Sequence, residues 1–388
     1  MSQSLLPFPV GNAVMITVGC VLVYFAIKKR YEPLLLLPIG FGAIMVNIPL
    51  SGLMAYSELT GKATGLFSII YELGIKNGVF PCLLFIGIGV MCDFGALIER
   101  PWVLVFAAAG QLGIFIALLC ALAVGFNPLE ASCIGIIGAM DGPTAIFMTS
   151  SFANAHPAFV SAEMIGPVAV CAYSYMSLVP ILQIPISRAL TTRKERLIRM
   201  DYKPQTYSKV VRILFPIIVT LITCLVAPMG TPLMGCLMFG NLMKESGVVS
   251  RLAKSAENEI ANVTTILLGL TIGGTMIADQ FLKLETLLIF ALGLVAFVSA
   301  IACGVLVAKL VRVLTKGKVN PLIGACGISA FPMAARTAHR IGREEDSGNW
   351  LLPHAMATNV GGQIGSVVAG GVVLTYAPII MQMLGLML

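Results

Sequence analysis

Six stretches dominate what this chain can become: residues 11–27, 33–53, 103–129, 211–243, 286–308 and 350–388 carry at most one formal charge each. About 20 apolar residues suffice to cross a bilayer core as a helix. Stretch 211–243 exceeds one span and is interrupted by Pro228 and Pro232. Charged residues make up 11% of the chain, against about 25% in a soluble domain, and the mean hydropathy is +0.94. The sequence therefore predicts an all-α polytopic membrane protein. No basic segment precedes the first apolar run and no small-x-small site follows it, so a cleaved signal is not expected. The ten cysteines lie singly in apolar stretches and read as small buried hydrophobes, with neither metal nor disulfide implied. The net charge of +7 calls for no nucleic acid; large basic cytoplasmic loops account for it.

Topology follows from the positive charges. With the N-terminus outside, spans are expected at 11–27, 33–50, 79–97, 101–125, 163–187, 211–226, 232–243, 260–278 and 286–308, with a last span running outward from 350. An amphipathic patch at 65–78 lies outside and a loop at 244–259 inside. Two breaker-rich stretches, 131–151 and 320–340, are expected to dip in and return as re-entrant hairpins, the first from outside and the second from inside. This threading leaves 22 of the 25 Lys and Arg on the cytoplasmic side, with Lys62, Lys76 and Lys283 as the exceptions.

The halves resemble each other. PIGFGAIMVN (38–47) pairs with PLMGCLMFGN (232–241), and IGVMCD (88–93) with GGTMIAD (273–279). IGIIGAMDGPTA (134–145) pairs with IGACGISAFPMA (323–334), and GPVAVCAYSYMS (166–177) with LPHAMATNVGGQ (352–363). The order is kept at an offset of about 185 to 195 residues. Because the first half starts outside and the second inside, two inverted-topology repeats are expected, residues 1–200 and 201–388, each with a broken re-entrant hairpin.

Asp141 stands in the first hairpin, followed at once by Gly142 and Pro143. A charge at membrane depth costs on the order of 3 kcal/mol or more unless paired, and no Lys or Arg is near it in sequence. Broken helices expose backbone groups that bind ions near the midplane, so a bound cation is the expected partner. A protonated Asp141 bonded to a neighbouring helix is the plainer alternative.

GAMDGPTAIF, AYSYMSLVPILQIPISRALTTRKER, FPMAARTAHRIGREED and HAMATNVGGQIGSVVAGG together resemble the membrane beta subunits of the sodium-pumping biotin-dependent decarboxylases, the family that serves oxaloacetate, glutaconyl-CoA, methylmalonyl-CoA and malonate decarboxylases. The likeness extends over nearly the whole chain, and the DGPT and AYSYM blocks carry it. It implies a multi-pass subunit of the inner, plasma membrane that decarboxylates carboxybiotin presented by a separate carrier subunit. The reaction would drive Na⁺ outward and consume a proton. It also implies a carboxyltransferase alpha subunit, a small gamma or delta membrane subunit, and a homo-oligomer, a trimer. On the matching positions Asp141 is linked to Na⁺ binding and coupling, Tyr175 to proton delivery, and Asn359 to Na⁺ beside Gly362, Gln363 and Ser366. The family's arginine near the C-terminus has no counterpart, since no Lys or Arg follows Arg343. From the residues alone a stand-alone Na⁺–carboxylate symporter or Na⁺/H⁺ exchanger fits as well.

Blander readings compete at each position. Tyr173 and Tyr175 can be packing aromatics with satisfied hydroxyls. The glycines around Asn359 can serve helix packing. Asp93 is as well read as an interfacial carboxylate, Asp279 as a solvated external one, and His354 as a cap or packing residue; His156 and His339 read as loop residues. The run from Arg193 to Arg199 reads as a solvated cytoplasmic face, with docking of an acidic carrier domain as the sharper alternative.

Overall fold

The structure, a computed structural model, describes residues 9–57, 59–202 and 207–386. The expected fate of the extreme N-terminus and the side of Lys203 therefore lie outside the described residues. Within them the chain is helical, apart from connecting turns and one isolated bridge between Tyr56 and Ala63.

The first half opens with α1 (Val10–Lys28) and α2 (Pro33–Val46), packed side by side. Next come α3 (Leu66–Ile70), continued by a π-turn over Tyr71–Lys76, and α4 (Val79–Met91), bent 61° from that pair. A short α5 (Gly95–Glu99) and a 3₁₀ turn lead into α6 (Leu104–Val124). Gly125, at φ 111°, ends α6 in a conformation that a side chain would disfavour. Asn127 and Glu130 close a capping box at the start of α7 (Pro128–Gly135), which tightens to a 3₁₀ turn at Ile136–Ala139. Then follow α8 (Gly142–Ala155), α9 (Ile165–Leu190) and the single turn α10 (Arg193–Arg196).

The second half runs α11 (Lys209–Val226), α12 (Thr231–Ser246), α13 (Ser250–Ser255) with a π-turn, α14 (Ala261–Gly274), α15 (Ala278–Phe281) and α16 (Leu284–Leu314). A 3₁₀ segment, Pro321–Cys326, precedes α17 (Met333–Glu345), and α18 (Leu352–Met383) closes the fold.

Among the described residues six helical stretches are long and apolar enough to cross a membrane: Val10–Lys28, Pro101–Val124, Ala162–Leu190, Lys209–Val226, Leu284–Leu314 and Leu352–Met383. The bent pair of α3 and α4 can add a seventh. This is a multi-pass membrane protein. Helix α11 buries only Pro216 and turns Leu214, Ile218, Leu221 and Leu225 outward, as a lipid-facing helix does.

Several expectations need correction. The segments expected to span at 33–50 and 260–278 form α-helices of 14 residues each, about 21 Å at 1.5 Å per residue, short of a 30 Å core, and 232–243, expected as a short span, lies in a 16-residue helix of about 24 Å. Asn47 stops α2: its Nδ2 donates to Met276 O at 2.7 Å and its Oδ1 accepts from Ala278 N at 3.0 Å. The expected span 79–97 breaks at Cys92. The stretch 244–259, expected as a loop, carries the end of α12, α13 and most of a π-turn, with Ala253 and Ala256 buried against Val90 and Met243.

The short helices pack crosswise between the halves. A Cβ on Gly42 of α2 would lie 2.2 Å from Leu270 O of α14, and one on Gly89 of α4 would lie 1.9 Å from Leu237 O of α12. No side chain fits either approach, and such contacts let helices associate without a hydrophobic drive in lipid. Helices α6 and α16 lie against each other, with α9 and α18 beside α8 and α17.

Candidate functional site

Two breaks in helical structure meet in the protein interior. In the first, Met140 takes a left-handed conformation at φ 55° and Asp141 an extended one, so helical structure is interrupted between Ile136–Ala139 and α8. Gly142 and Pro143 begin α8; a proline there lacks only an N–H that would have had no helical partner. Asp141 caps this helix, its Oδ1 accepting from Thr144 N at 3.1 Å. The positive end of the helix dipole faces the carboxylate. The two helix breakers therefore create a carboxylate seat inside the membrane protein.

The second break spans residues 327–332, between the 3₁₀ segment and α17. Ser329 N donates to Ala139 O at 2.9 Å, joining the two breaks through their backbones. Ser329 Oγ donates to Asp141 Oδ2 at 2.9 Å, and Ser366 Oγ of α18 donates to the same oxygen at 2.6 Å. Asn359, Gln363 and Ser366 recur at helical spacing and share one face of α18. Asn359 Nδ2 donates to Ile328 O at 2.7 Å, and Gln363 Nε2 donates to Ser329 O. Gly362 admits this approach: a Cβ there would lie 2.6 Å from Ile328 O.

Asp141 is 3% exposed, and Asn359 and Ser366 are wholly buried. With both amide nitrogens committed to backbone carbonyls, Asn359 Oδ1 and Gln363 Oε1 have no hydrogen-bond partner among the described residues; nor have Thr144 Oγ1 and the Tyr173 hydroxyl. A buried polar atom left this way costs about 1–3 kcal/mol. The cluster offers oxygen atoms and one carboxylate, the donor set of a hard cation. Asp141, Thr144, Ser329, Asn359, Gln363 and Ser366 are the residues that could hold one.

The tyrosines part company. Tyr173 is buried with its ring against Gly142, where a Cβ would lie 2.3 Å from the ring. Tyr175 lies on another face of α9. Its hydroxyl donates to Phe290 O of α16 at 2.6 Å, and its ring packs beside Phe290 and Phe297. The structure thus brings Asp141, Asn359, Gln363 and Ser366 together and leaves Tyr175 outside the cluster. Ser329, Thr144 and Tyr173 join it, although sequence reasoning singled out neither Ser329 nor Thr144. The repeat pairing held the signal for Ser329: it stands opposite Met140, one residue before Asp141.

Other candidates have local roles. Asp93 accepts from Gly95 N at 3.0 Å, stabilising the break after α4. Asp279 is exposed on α15. His156 follows α8 beside Phe152, and His339 lies on α17, edge-on to Trp350, rather than in a loop. The basic run is largely exposed, as a solvated face would be, and its arginines pair within the chain. Arg196 meets Glu345 at 2.8 Å, Arg199 meets Asp346 at 2.7 Å, and Arg188 meets Glu344 at 2.7 Å. The Arg196 hydrogen bond holds the Glu345 carboxyl below its ordinary range, and Arg199 does the same for Asp346. Burial alone would raise Glu195, but hydrogen bonds from Thr192 and the cations Lys309 and Arg312 outweigh it and lower its pKa.

Comparison with known proteins finds relatives over most of the length of the chain. A family model described as the Na⁺-transporting oxaloacetate decarboxylase beta subunit matches residues 11–377. The methylmalonyl-CoA decarboxylase subunit beta of Propionigenium modestum is 46% identical over 383 residues, covering 94% of each chain. The glutaconyl-CoA decarboxylase subunit beta of Acidaminococcus fermentans is 47% identical over 367 residues, covering 95% of this chain and 93% of its own. The oxaloacetate decarboxylase beta chain of Klebsiella pneumoniae is 42% identical over 420 residues, covering 94% and 95%. The chain belongs to the family of Na⁺-transporting oxaloacetate decarboxylase beta subunits.

Proposed function

We propose that this chain is the inner-membrane subunit that decarboxylates carboxybiotin and couples the reaction to outward Na⁺ transport. The observation that carries the reading is Asp141: a buried carboxylate, hydrogen-bonded by both Ser329 and Ser366, beside amide oxygens that lack partners. A Na⁺ entering this cluster neutralises Asp141 and gives Asn359 Oδ1 and Gln363 Oε1 a partner. The relatives are each named as one subunit or chain of a decarboxylase, which favours this reading over a stand-alone symporter. A biotin carrier, a carboxyltransferase alpha subunit and a small gamma or delta subunit complete the complex, with the beta subunit assembled as a trimer.

The two breaks are re-entrant hairpin tips, and residues 1–200 and 201–388 are inverted repeats. The packing supports this: exchanging α2 with α12 and α4 with α14 turns the α2/α14 contact into the α12/α4 contact. Rocking of one half against the other exposes the site alternately. In the chemical step the N–C bond of the N-carboxylated ring breaks, CO₂ leaves, and the ring nitrogen gains a proton. Tyr175 is assigned as the proton relay; from its present place it has to release Phe290 O. Tyr173 adjoins the carboxylate.

The test is turnover of free carboxybiotin beside Na⁺-dependent thermal protection in the same preparations. Wild-type chain should show both, and Asp141→Asn should lose the Na⁺ response of each. Na⁺-stimulated turnover that survives Asp141→Asn overturns the assignment.

A further inference from the structure

A cavity of about 610 Å³ lies where α6 begins and α16 ends, lined by Arg100, Trp102, Arg199, Asp201, Lys318 and His354. Trp102 stands two residues before α6, and Thr315, which follows α16, lines the same cavity. The two helices therefore run antiparallel and their basic ends meet here. Phe290, whose carbonyl accepts from the Tyr175 hydroxyl, stands 24 residues before Leu314, about 36 Å along α16 at 1.5 Å per residue. A bilayer core is about 30 Å thick, so the cavity and Tyr175 lie toward opposite membrane faces. The cavity is thus remote from the proton relay and sits at the depth of lipid headgroups, where tryptophan is favoured.

Its polar groups are incompletely used. Arg199 is occupied by Asp346. Arg100 stacks on Tyr202, 4.8 Å from the ring centroid; its Nη1 is buried without a hydrogen bond, and the Glu99 carboxylate is 3.9 Å away. Lys318 is exposed, and no carboxylate lies within ion-pair distance of it among the described residues. His354 is 2% exposed, and neither ring nitrogen makes a hydrogen bond among the described residues. Asp201 supplies the single carboxylate of the lining. Beyond the cavity the surface turns apolar: Leu104 and Val105 at the start of α6, and Leu310, Val313 and Leu314 at the end of α16, are exposed. Gly113 packs on Ala300, where an added Cβ would lie 2.6 Å from the alanine's own. Counting nine residues back from Gly113 and nine on from Ala300 sets Leu104 level with Lys309, so these apolar side chains lie at one depth beside the cavity.

We propose that this cavity binds the phosphodiester headgroup of an anionic phospholipid, such as phosphatidylglycerol, from the leaflet at the basic face. The phosphate oxygens take the unused donors of Arg100 and Lys318. Glycerol hydroxyls, which both donate and accept, suit the Asp201 carboxylate and the His354 imidazole. The acyl chains lie against the exposed apolar side chains of α6 and α16, with Trp102 at the boundary between headgroup and hydrocarbon. A soluble anion would use the cations alone. A lipid uses the cations and the apolar border together, and for that reason it is the occupant assigned.

Only two tryptophans are present, so Trp350→Phe leaves Trp102 as the sole reporter. The full-length chain is reconstituted in phosphatidylcholine vesicles containing a minority lipid with brominated acyl chains, which quench tryptophan at short range. Each cation near the surface favours an anionic lipid by roughly a factor of five. Brominated phosphatidylglycerol should therefore quench Trp102 at roughly twentyfold lower mole fraction than brominated phosphatidylcholine. Lys318→Gln, at an exposed position, should shrink that ratio about fivefold, and Lys318→Arg should keep it. Lys316→Gln, exposed nearby but outside the lining, should leave it unchanged. Equal quenching by the two lipids, a ratio unmoved in Lys318→Gln, or an equal loss in Lys316→Gln overturns the proposal. Inorganic phosphate, compared with chloride at equal ionic strength, should not alter the ratio; if it abolishes the ratio, the cavity takes a soluble anion and the lipid assignment falls. The readout is quenching rather than turnover, so it stands apart from the decarboxylase reading.

Discussion

Asp141 is held by hydrogen bonds from Thr144, Ser329 and Ser366, and among the described residues no Lys or Arg pairs with it. Its charge is the largest single contribution to any cation bound there. Asp141→Asn removes that charge while keeping the shape, and an intramembrane charge is worth about 3 kcal/mol, or roughly a hundredfold in affinity. Na⁺-dependent thermal protection should move to roughly hundredfold higher Na⁺, or vanish, while the protein still inserts. Asn359→Ala should weaken protection less, because it removes a neutral oxygen. Tyr175→Phe decides the proton route: it should abolish decarboxylation and leave Na⁺ protection intact, and normal turnover returns Tyr175 to packing. Asp141 was legible in the sequence because a carboxylate between apolar stretches and helix breakers has few bland explanations. Ser329 was not, since its contact with Asp141 crosses 188 residues of sequence and only the repeat pairing bears on it. Tyr173 was named beside Tyr175, but which of the two meets Gly142 depends on the helix face and leaves no local pattern.

The long spans were legible for the same reason that they are stable: in lipid, an apolar run must close its own backbone hydrogen bonds. The short helices α2 and α12 were not, since apolar length alone does not reveal that Asn47 ends a helix by bonding Met276 and Ala278. The basic run lies at the surface as read, but its ion pairs were not legible because the partners, Glu345 and Asp346, lie about 150 residues away. Those pairs clamp the end of α17 to the segment after α9. Glu345 and Asp346 titrate below their ordinary values of 4.5 and 3.8, so the clamp contributes fully above about pH 4.5 and is lost as pH falls through the lowered values. Melting temperature should therefore fall on acidification below about pH 4.5, and Glu345→Gln should flatten that fall. An unchanged acid profile in the variant would remove Glu345 from the account. Single cysteines in a cysteine-free background test the hairpins. One at Asn154 should label from outside and one at Arg340 from inside; labelling of both from one side contradicts the inverted repeat.

On the scale of the whole molecule, the two halves are not independent bodies. Helix α2 of the first packs on α14 of the second, and α4 on α12, through glycine approaches that leave no room for a side chain. The polar cluster proposed to hold a cation is divided the same way: Asp141 and Thr144 come from the first half, and Ser329, Asn359, Gln363 and Ser366 from the second. Separate domains would each bury their own apolar faces and join through a linker. Here each half's short helices find their closest partners in the other, so neither should fold alone. Cutting the chain after Asp201, beyond the clamp residues Arg196 and Arg199, breaks the connection without touching those contacts. Residues 1–201 and 202–388 should co-purify when co-expressed and recover Na⁺-dependent thermal protection. Either piece expressed alone should show none. Na⁺ protection in one isolated half would mean that its own residues complete a site, and the shared, interlocked arrangement would have to be abandoned.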